Sequence, residues 1–133
     1  MIETQTMRIN RGFSFEREVL KAYGGESHVP FKDGTRGYSK GCSVIDILRE
    51  TAAGLEAIEC KSFTNDFYHR GFDTKYQLKR MLSNIPVGMR CRIVLEDINL
   101  TESEKKVISD MYKAIIDPVY HDIPIDFLKR REE

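Results

Sequence analysis

Hydrophobic and polar positions along this chain repeat at two periods, and each switch of period marks an element. Over residues 13–23, Phe13, Glu16, Leu20 and Tyr23 fall on one stripe, at offsets of three, seven and ten. That spacing predicts an amphipathic helix closed by Gly24-Gly25, with Glu18 beside Ser14 and Lys21 on the solvent side. Cys42 to Leu48 is an apolar run broken by one acid, Asp46, and reads as a strand. Leu55 to Lys61 alternates, so Leu55, Ala57, Glu59 and Lys61 share one face and Glu56, Ile58 and Cys60 the other. From Thr74 onward, Leu78, Met81, Leu82 and Ile85 return to helical spacing, and Met89 to Leu95 alternates again. Thr101 with Glu104 forms a capping box that opens a further helix. Its stripe of Val107, Ile108, Met111, Tyr112, Ile115 and Ile116 stops before Pro118, and residues 119–127 suggest a short last strand. The order of elements predicts an α/β chain.

The two strands around the turn at Arg49 to Gly54 carry the chemistry. A two-residue turn at Ala52-Ala53 sets Asp46 directly across from Glu59. A three-residue loop with Gly54 in the left-handed region shifts the register by one and sends Asp46 to the other face. The sequence leaves both registers open. An Asp among Val, Ile and Leu is disfavoured in a strand. Glu59 and Lys61, on a face shared with Leu55 and Ala57, need a partner or a metal if that face is covered. A second Glu-x-Lys, Glu104-Lys105-Lys106, is explained by the helix start it occupies. Glu16, placed within the apolar stripe of the first helix, is a third acid. Two carboxylates hold a divalent cation, and a lysine beside them polarises a water or neutralises a phosphate, which points to phosphodiester cleavage. The plainer alternative is an ordinary hairpin whose Asp caps a strand end, with Glu59 and Lys61 as a simple ion pair.

A helix bearing Phe15-Glu16, then a hairpin bearing Asp46, then Glu59-Cys60-Lys61, then a helix, resembles the PD-(D/E)xK nuclease superfamily over roughly residues 11–97. The resemblance implies a restriction-endonuclease-like core, a central mixed sheet flanked by helices. It implies Asp46 and Glu59 as ligands of Mg²⁺ or Mn²⁺, joined by the backbone carbonyl of Cys60. Lys61 is then the lysine that positions or activates the attacking water, and Glu16 the auxiliary acid. Ile45 stands where many members have Pro. Thr74-Lys75-Tyr76-Gln77 is similar to the helix start that follows Glu-x-Lys in several small bacterial toxin nucleases of the superfamily. There the polar residues face the scissile phosphate. That implies a supporting role for Gln77, with Thr74, Lys75, Lys79 and Arg80 on the nucleic acid, although Thr74 with Gln77 is also a capping box. His69, in the loop after the motif, is a further candidate contact. The small size resembles toxin domains that end large secreted bacterial proteins of contact-dependent competition. Such a domain is delivered from a secreted or cell-surface protein, cuts DNA or tRNA in the target cytoplasm, and is blocked by a cognate immunity protein.

Composition changes this picture only in places. At 133 residues, the chain is expected to be a flexible arm over 1–10 and one nuclease domain over 11–133. No run approaches the roughly eighteen apolar residues of a membrane span, and residues 1–11 lack a signal-peptide core. Cys42, Cys60 and Cys91 fit no zinc spacing and read as reduced thiols; His28, His69 and His121 fit no metal pattern. No small-molecule cofactor is expected. Twenty-one Lys and Arg balance 21 Asp and Glu, which argues against strong nonspecific nucleic-acid binding. The cations nevertheless gather locally, at Arg36 and Lys40, at Lys75, Lys79 and Arg80, and at Lys129 to Arg131. Tyr38, Phe63, Phe67, Tyr68 and Phe72 flank the motif on expected loops, where aromatics either stack on bases or pack the loop down. Two alternatives to the toxin stay open, a non-catalytic binding module on the same fold and a structure-selective nuclease of branched DNA.

Overall fold

The computed structural model describes residues 4–62, 71–115 and 123–130. Helix α1 (Gln5–Tyr23) opens at Thr4, whose Oγ1 accepts the Met7 N–H at 3.1 Å. It closes at Gly24, which takes φ 74 and returns its N–H to the Leu20 carbonyl at 2.8 Å. Residues 5–10, expected as an arm, are therefore the opening turns of α1. The buried face of the helix also differs from the predicted stripe. Phe15 and Val19 are the fully buried pair, Leu20 and Tyr23 pack beside them, and Phe13 is 51% exposed. Glu18, expected in solvent, is largely covered at the flank. Two apolar stripes overlap in this segment, and the sheet took the one centred on Phe15 and Val19.

Strands β1 (Glu26–Lys32) and β2 (Thr35–Arg36) form a hairpin absent from the sequence reading. Asp33 and Gly34 both take positive φ, 48 and 83, as its two-residue turn requires. Strands β3 (Ser43–Thr51) and β4 (Gly54–Lys61) pair from Thr51↔Gly54 to Ile47↔Ile58. The loop is Ala52-Ala53, so the first of the two registers is the one adopted. Helix α2 (Gly71–Asn84), β5 (Arg90–Glu96), α3 (Glu102–Ile115) and β6 (Ile125–Leu128) follow. The α3 capping box is present, with Glu104 N–H on Thr101 Oγ1 at 3.1 Å and Thr101 N–H on Glu104 Oε1 at 3.0 Å.

The six strands form one mixed sheet in the order β2-β1-β3-β4-β5-β6. Pairing is antiparallel as far as β4 and parallel from β4 to β6. Helix α1 covers one face, on Ile47, Ile58, Cys60 and Val94. Helices α2 and α3 cover the other, on Val29, Ile45, Ala57, Ile93 and Leu95. Coverage on both sides explains why β5 reads Ile93-Val94-Leu95 without a polar break. Among the described residues no helix is long and apolar enough to cross a membrane.

Buried charge ties the layers together. Glu56, 3% exposed, accepts from Arg49 Nε at 2.8 Å and Arg92 Nε at 3.1 Å. Arg92 Nη1 reaches Asp126 Oδ2 at 2.7 Å, and the Tyr23 hydroxyl donates to the same oxygen at 2.5 Å. One network thus joins α1, β3, β4, β5 and β6.

Candidate active site

The site forms where the sheet stops being regular. Ladder pairing between β3 and β4 ends at Ile47↔Ile58, and the next rung would set Asp46 against Glu59. On the other side, β1 pairs Ser27 with Ile47 and Val29 with Ile45, passing over His28 and Asp46. Ile45 packs on the α2 side, whereas Ile47, two residues on, packs under α1, so the alternation of faces breaks at Asp46. In place of a ladder bond, the Cys60 N–H donates to Asp46 Oδ2 at 2.8 Å. A strand residue sends its N–H and C=O to the same side. The Cys60 carbonyl therefore points to the edge that β3 has vacated.

A pocket of about 380 Å³ opens at this break. It is lined by Glu16 from α1, Asp46 from β3, Glu59 and Lys61 from β4, and Gln77 and Arg80 from α2. Lys61 Nζ lies 3.4 Å from Glu59 Oε1 and donates to Gln77 Oε1. Arg80 Nη2 donates to the Cys42 carbonyl at 3.0 Å, which holds the opposite wall. Asn84, buried at the end of α2, donates to the Gly41 carbonyl at 3.1 Å and to Ser43 Oγ at 2.9 Å, fixing the same wall from below. Just past Lys61, Ser62 Oγ donates to Glu96 Oε1 at 2.5 Å. Arg130 Nε bonds Glu96 Oε2 at 3.1 Å, and Arg130 Nη2 bonds the Arg11 carbonyl at 2.9 Å. Arg130, one of the cations gathered at Lys129 to Arg131, is thus part of the clamp that seats the end of β4.

Charge in the pocket is unbalanced towards acid. Burial pushes the Asp46 carboxyl well above its ordinary 3.8, and the neighbouring Glu59 charge pushes the same way, against the Cys60 N–H bond and Lys61. Burial also raises Glu59, with Lys61 the main opposing influence. Each acid is thus displaced upward, and at Asp46 the charge of its neighbour Glu59 adds to the effect of burial. Burial, then the same carboxylates, pushes the Cys60 thiol far above its usual range, so it is no nucleophile.

Oxygen donors of this kind suit a hard divalent cation such as Mg²⁺ or Mn²⁺. Among the described residues no group of three or more His, Cys, Asp or Glu converges as a complete ligand set. The donors here are two carboxylates and the Cys60 carbonyl, which leaves other positions to water and substrate oxygens, as Mg²⁺ sites commonly do. The residues present fit that ion.

The sequence-derived residues separate into three groups. Asp46, Glu59, Lys61, Glu16, Gln77 and Arg80 meet at one pocket. Lys79 is exposed on α2 and does not line it. Thr74 and Lys75 lie in the opening turns of α2, with side chains outside the described residues, as is that of Phe72; His69, Phe63, Phe67 and Tyr68 also lie outside them. The Thr74–Gln77 capping box is corrected. Helix α2 begins at Gly71, so Thr74 is inside the helix and Gln77 serves Lys61 instead. Sequence reasoning passed over His28, whose Nε2 lies 3.0 Å from Glu16 Oε2. Only the β1–β3 register brings it there, and no local pattern signals it. Comparison with protein-family models, with curated proteins and with solved structures finds no match to this chain.

Proposed function

We propose that the protein is a metal-dependent nuclease that hydrolyses phosphodiester bonds of DNA or tRNA, on a PD-(D/E)xK type of site. The observation that carries the reading is the pair of acids, Asp46 and Glu59, both displaced upward and opposed across one broken rung, with Lys61 beside them. Such a pair gains most from a cation. Asp46, Glu59 and the Cys60 carbonyl would hold Mg²⁺ or Mn²⁺, which when bound supplies a Lewis acid that lowers the pKa of a water and offsets charge on the phosphate. Lys61, fixed between Glu59 and Gln77, orients the attacking water and counters charge that builds on the phosphate oxygens. With its carbonyl oxygen occupied by Lys61, Gln77 keeps its amide N–H groups for the substrate phosphate. Arg80 supplies fixed positive charge at the rim.

We infer an antibacterial toxin domain that acts in the cytoplasm of a target cell and is neutralised by an immunity protein, on the strength of the resemblance of Glu59-Cys60-Lys61 and the following helix with Gln77 to such toxins. A non-catalytic binding module is the second reading, favoured by the zero net charge and the existing Glu59–Lys61 ion pair. Cleavage of plasmid DNA and total tRNA with Mg²⁺ or Mn²⁺, beside EDTA, Glu59→Ala and Lys61→Ala controls, decides between them. Cutting lost in all three controls supports the nuclease. A folded protein that cuts neither substrate and whose melting ignores metal leaves the binding module.

A further inference from the structure

We propose that His28 is a positioning residue, which sets the Glu16 carboxylate at the Asp46–Glu59 pocket through its Nε2. The inference rests on the nuclease reading above. Three observations meet at this residue. First, β1 and β3 pair on both sides of His28 in unbroken register, yet the rung that would join His28 to Asp46 is skipped. Continued onto β4, that level reaches Glu59. His28, Asp46 and Glu59 thus stand abreast on three strands, at the level where side chains replace the ladder. Second, His28 takes φ 55, in the left-handed region that a strand residue with a side chain rarely adopts. Third, burial does not compensate that conformation, because the side chain is 48% exposed. What the conformation secures is the 3.0 Å contact from Nε2 to Glu16 Oε2, with Phe13 edge-on to the imidazole at 6.0 Å between ring centres.

The chemistry follows from the partners. A carboxylate only accepts, so Nε2 carries the proton in this contact. Bonded through Oε2, Glu16 keeps the acceptor capacity of its other oxygen. Glu16 lines that pocket from α1, and its charge bears on both Asp46 and Glu59. Without the tether, Glu16, whose side chain is 20% exposed on the flank of α1, loses the contact that fixes its rotamer. Backbone strain held at an exposed residue beside a reactive cluster is the expected sign of a functional constraint.

The test compares His28→Gly and His28→Gln with wild type in three measurements. These are thermal melting of the metal-free protein, calorimetric titration with Mn²⁺ alone, and cleavage of plasmid DNA and tRNA. Glycine removes the tether and relieves the backbone. His28→Gly is expected to melt at or above the wild-type temperature, while Mn²⁺ affinity and kcat each fall on the order of tenfold, as for other outer-shell partners. His28→Gln, which retains a donor of similar reach, is expected to recover most of both. Combined with Glu16→Gln, His28→Gly should add little further loss, because the two changes remove one interaction. Wild-type Mn²⁺ affinity and kcat in His28→Gly would overturn the proposal. So would a fall in melting temperature with affinity unchanged, which marks a structural residue. A wild-type protein that neither binds Mn²⁺ nor cuts would overturn the nuclease reading itself, and this inference with it.

Discussion

Replacing Asp46 by Asn should make the metal-free protein more stable and the metal-loaded protein less so. In the fold, burial and Glu59 both oppose ionisation of Asp46, so its pKa lies well above the 3.8 of a free side chain. A carboxyl raised in the folded state binds its proton more tightly there than in the unfolded chain. Its contribution is therefore full below the ordinary value and is lost as pH rises through the displaced one. Each unit of such displacement corresponds to about 1.4 kcal/mol. Asn cannot ionise, and its carbonyl oxygen can still accept the Cys60 N–H. The stability difference between Asp46→Asn and wild type, measured in EDTA, should accordingly grow in favour of the variant from about pH 4 to neutrality. A divalent cation reverses the order. At a concentration 100 times Kd, one bound ion stabilises wild type by about 2.7 kcal/mol, or roughly 10 °C for a chain of this length. The variant, with one ligand fewer and no charge pair, should show only a small part of that shift. The assay is thermal melting by circular dichroism across pH, with EDTA and with saturating Mg²⁺ or Mn²⁺. An Asp46→Asn protein that is less stable than wild type in EDTA at neutral pH, or that keeps the full metal shift, refutes the reasoning.

Three further outcomes follow from other contacts. Glu56→Ala strands Arg49 and Arg92 beside an empty buried site and should cost about 3–5 kcal/mol in chemical denaturation, with kcat per folded molecule unchanged, because Glu56 does not line the pocket of Asp46 and Glu59. Lys61→Met should abolish detectable cleavage while the metal-induced melting shift persists, and loss of both together would place Lys61 in metal binding. Gln77→Ala frees the Lys61 ammonium and should lower kcat about 10- to 100-fold with little change in Mn²⁺ affinity, measured by single-turnover cleavage and calorimetry; an unchanged kcat would show that the Lys61–Gln77 contact is idle.

Regular elements were legible in the sequence, and irregular ones were not. Alternation over Leu55 to Lys61 put Glu59 and Lys61 on one face, and the pocket bears that face. The Ala52-Ala53 turn was one of two readings, and only the pairing of Thr51 with Gly54 selects it. The β1–β2 hairpin escaped notice because Pro30 interrupts its pattern and β2 is two residues long, although Asp33-Gly34 is a turn signal. Helix α1 was recognised over 13–23 but starts eight residues earlier, at Gln5, and it was turned wrongly, because Phe13 and Phe15 open competing stripes and only the sheet chooses between them. Arg130 read only as part of a basic cluster because its partner, Glu96, is 34 residues away in the chain. His28 is the most telling case. Its neighbours Ser27 and Val29 obey the ladder, and its own importance comes from leaving it. Periodicity finds an element by its obedience to a repeat, whereas a reactive cluster needs carboxylates, a cation and a free backbone carbonyl at a place the repeat would have filled with hydrogen bonds. The same break at Asp46 that opened the pocket therefore hid from the sequence the residue that holds Glu16 in place.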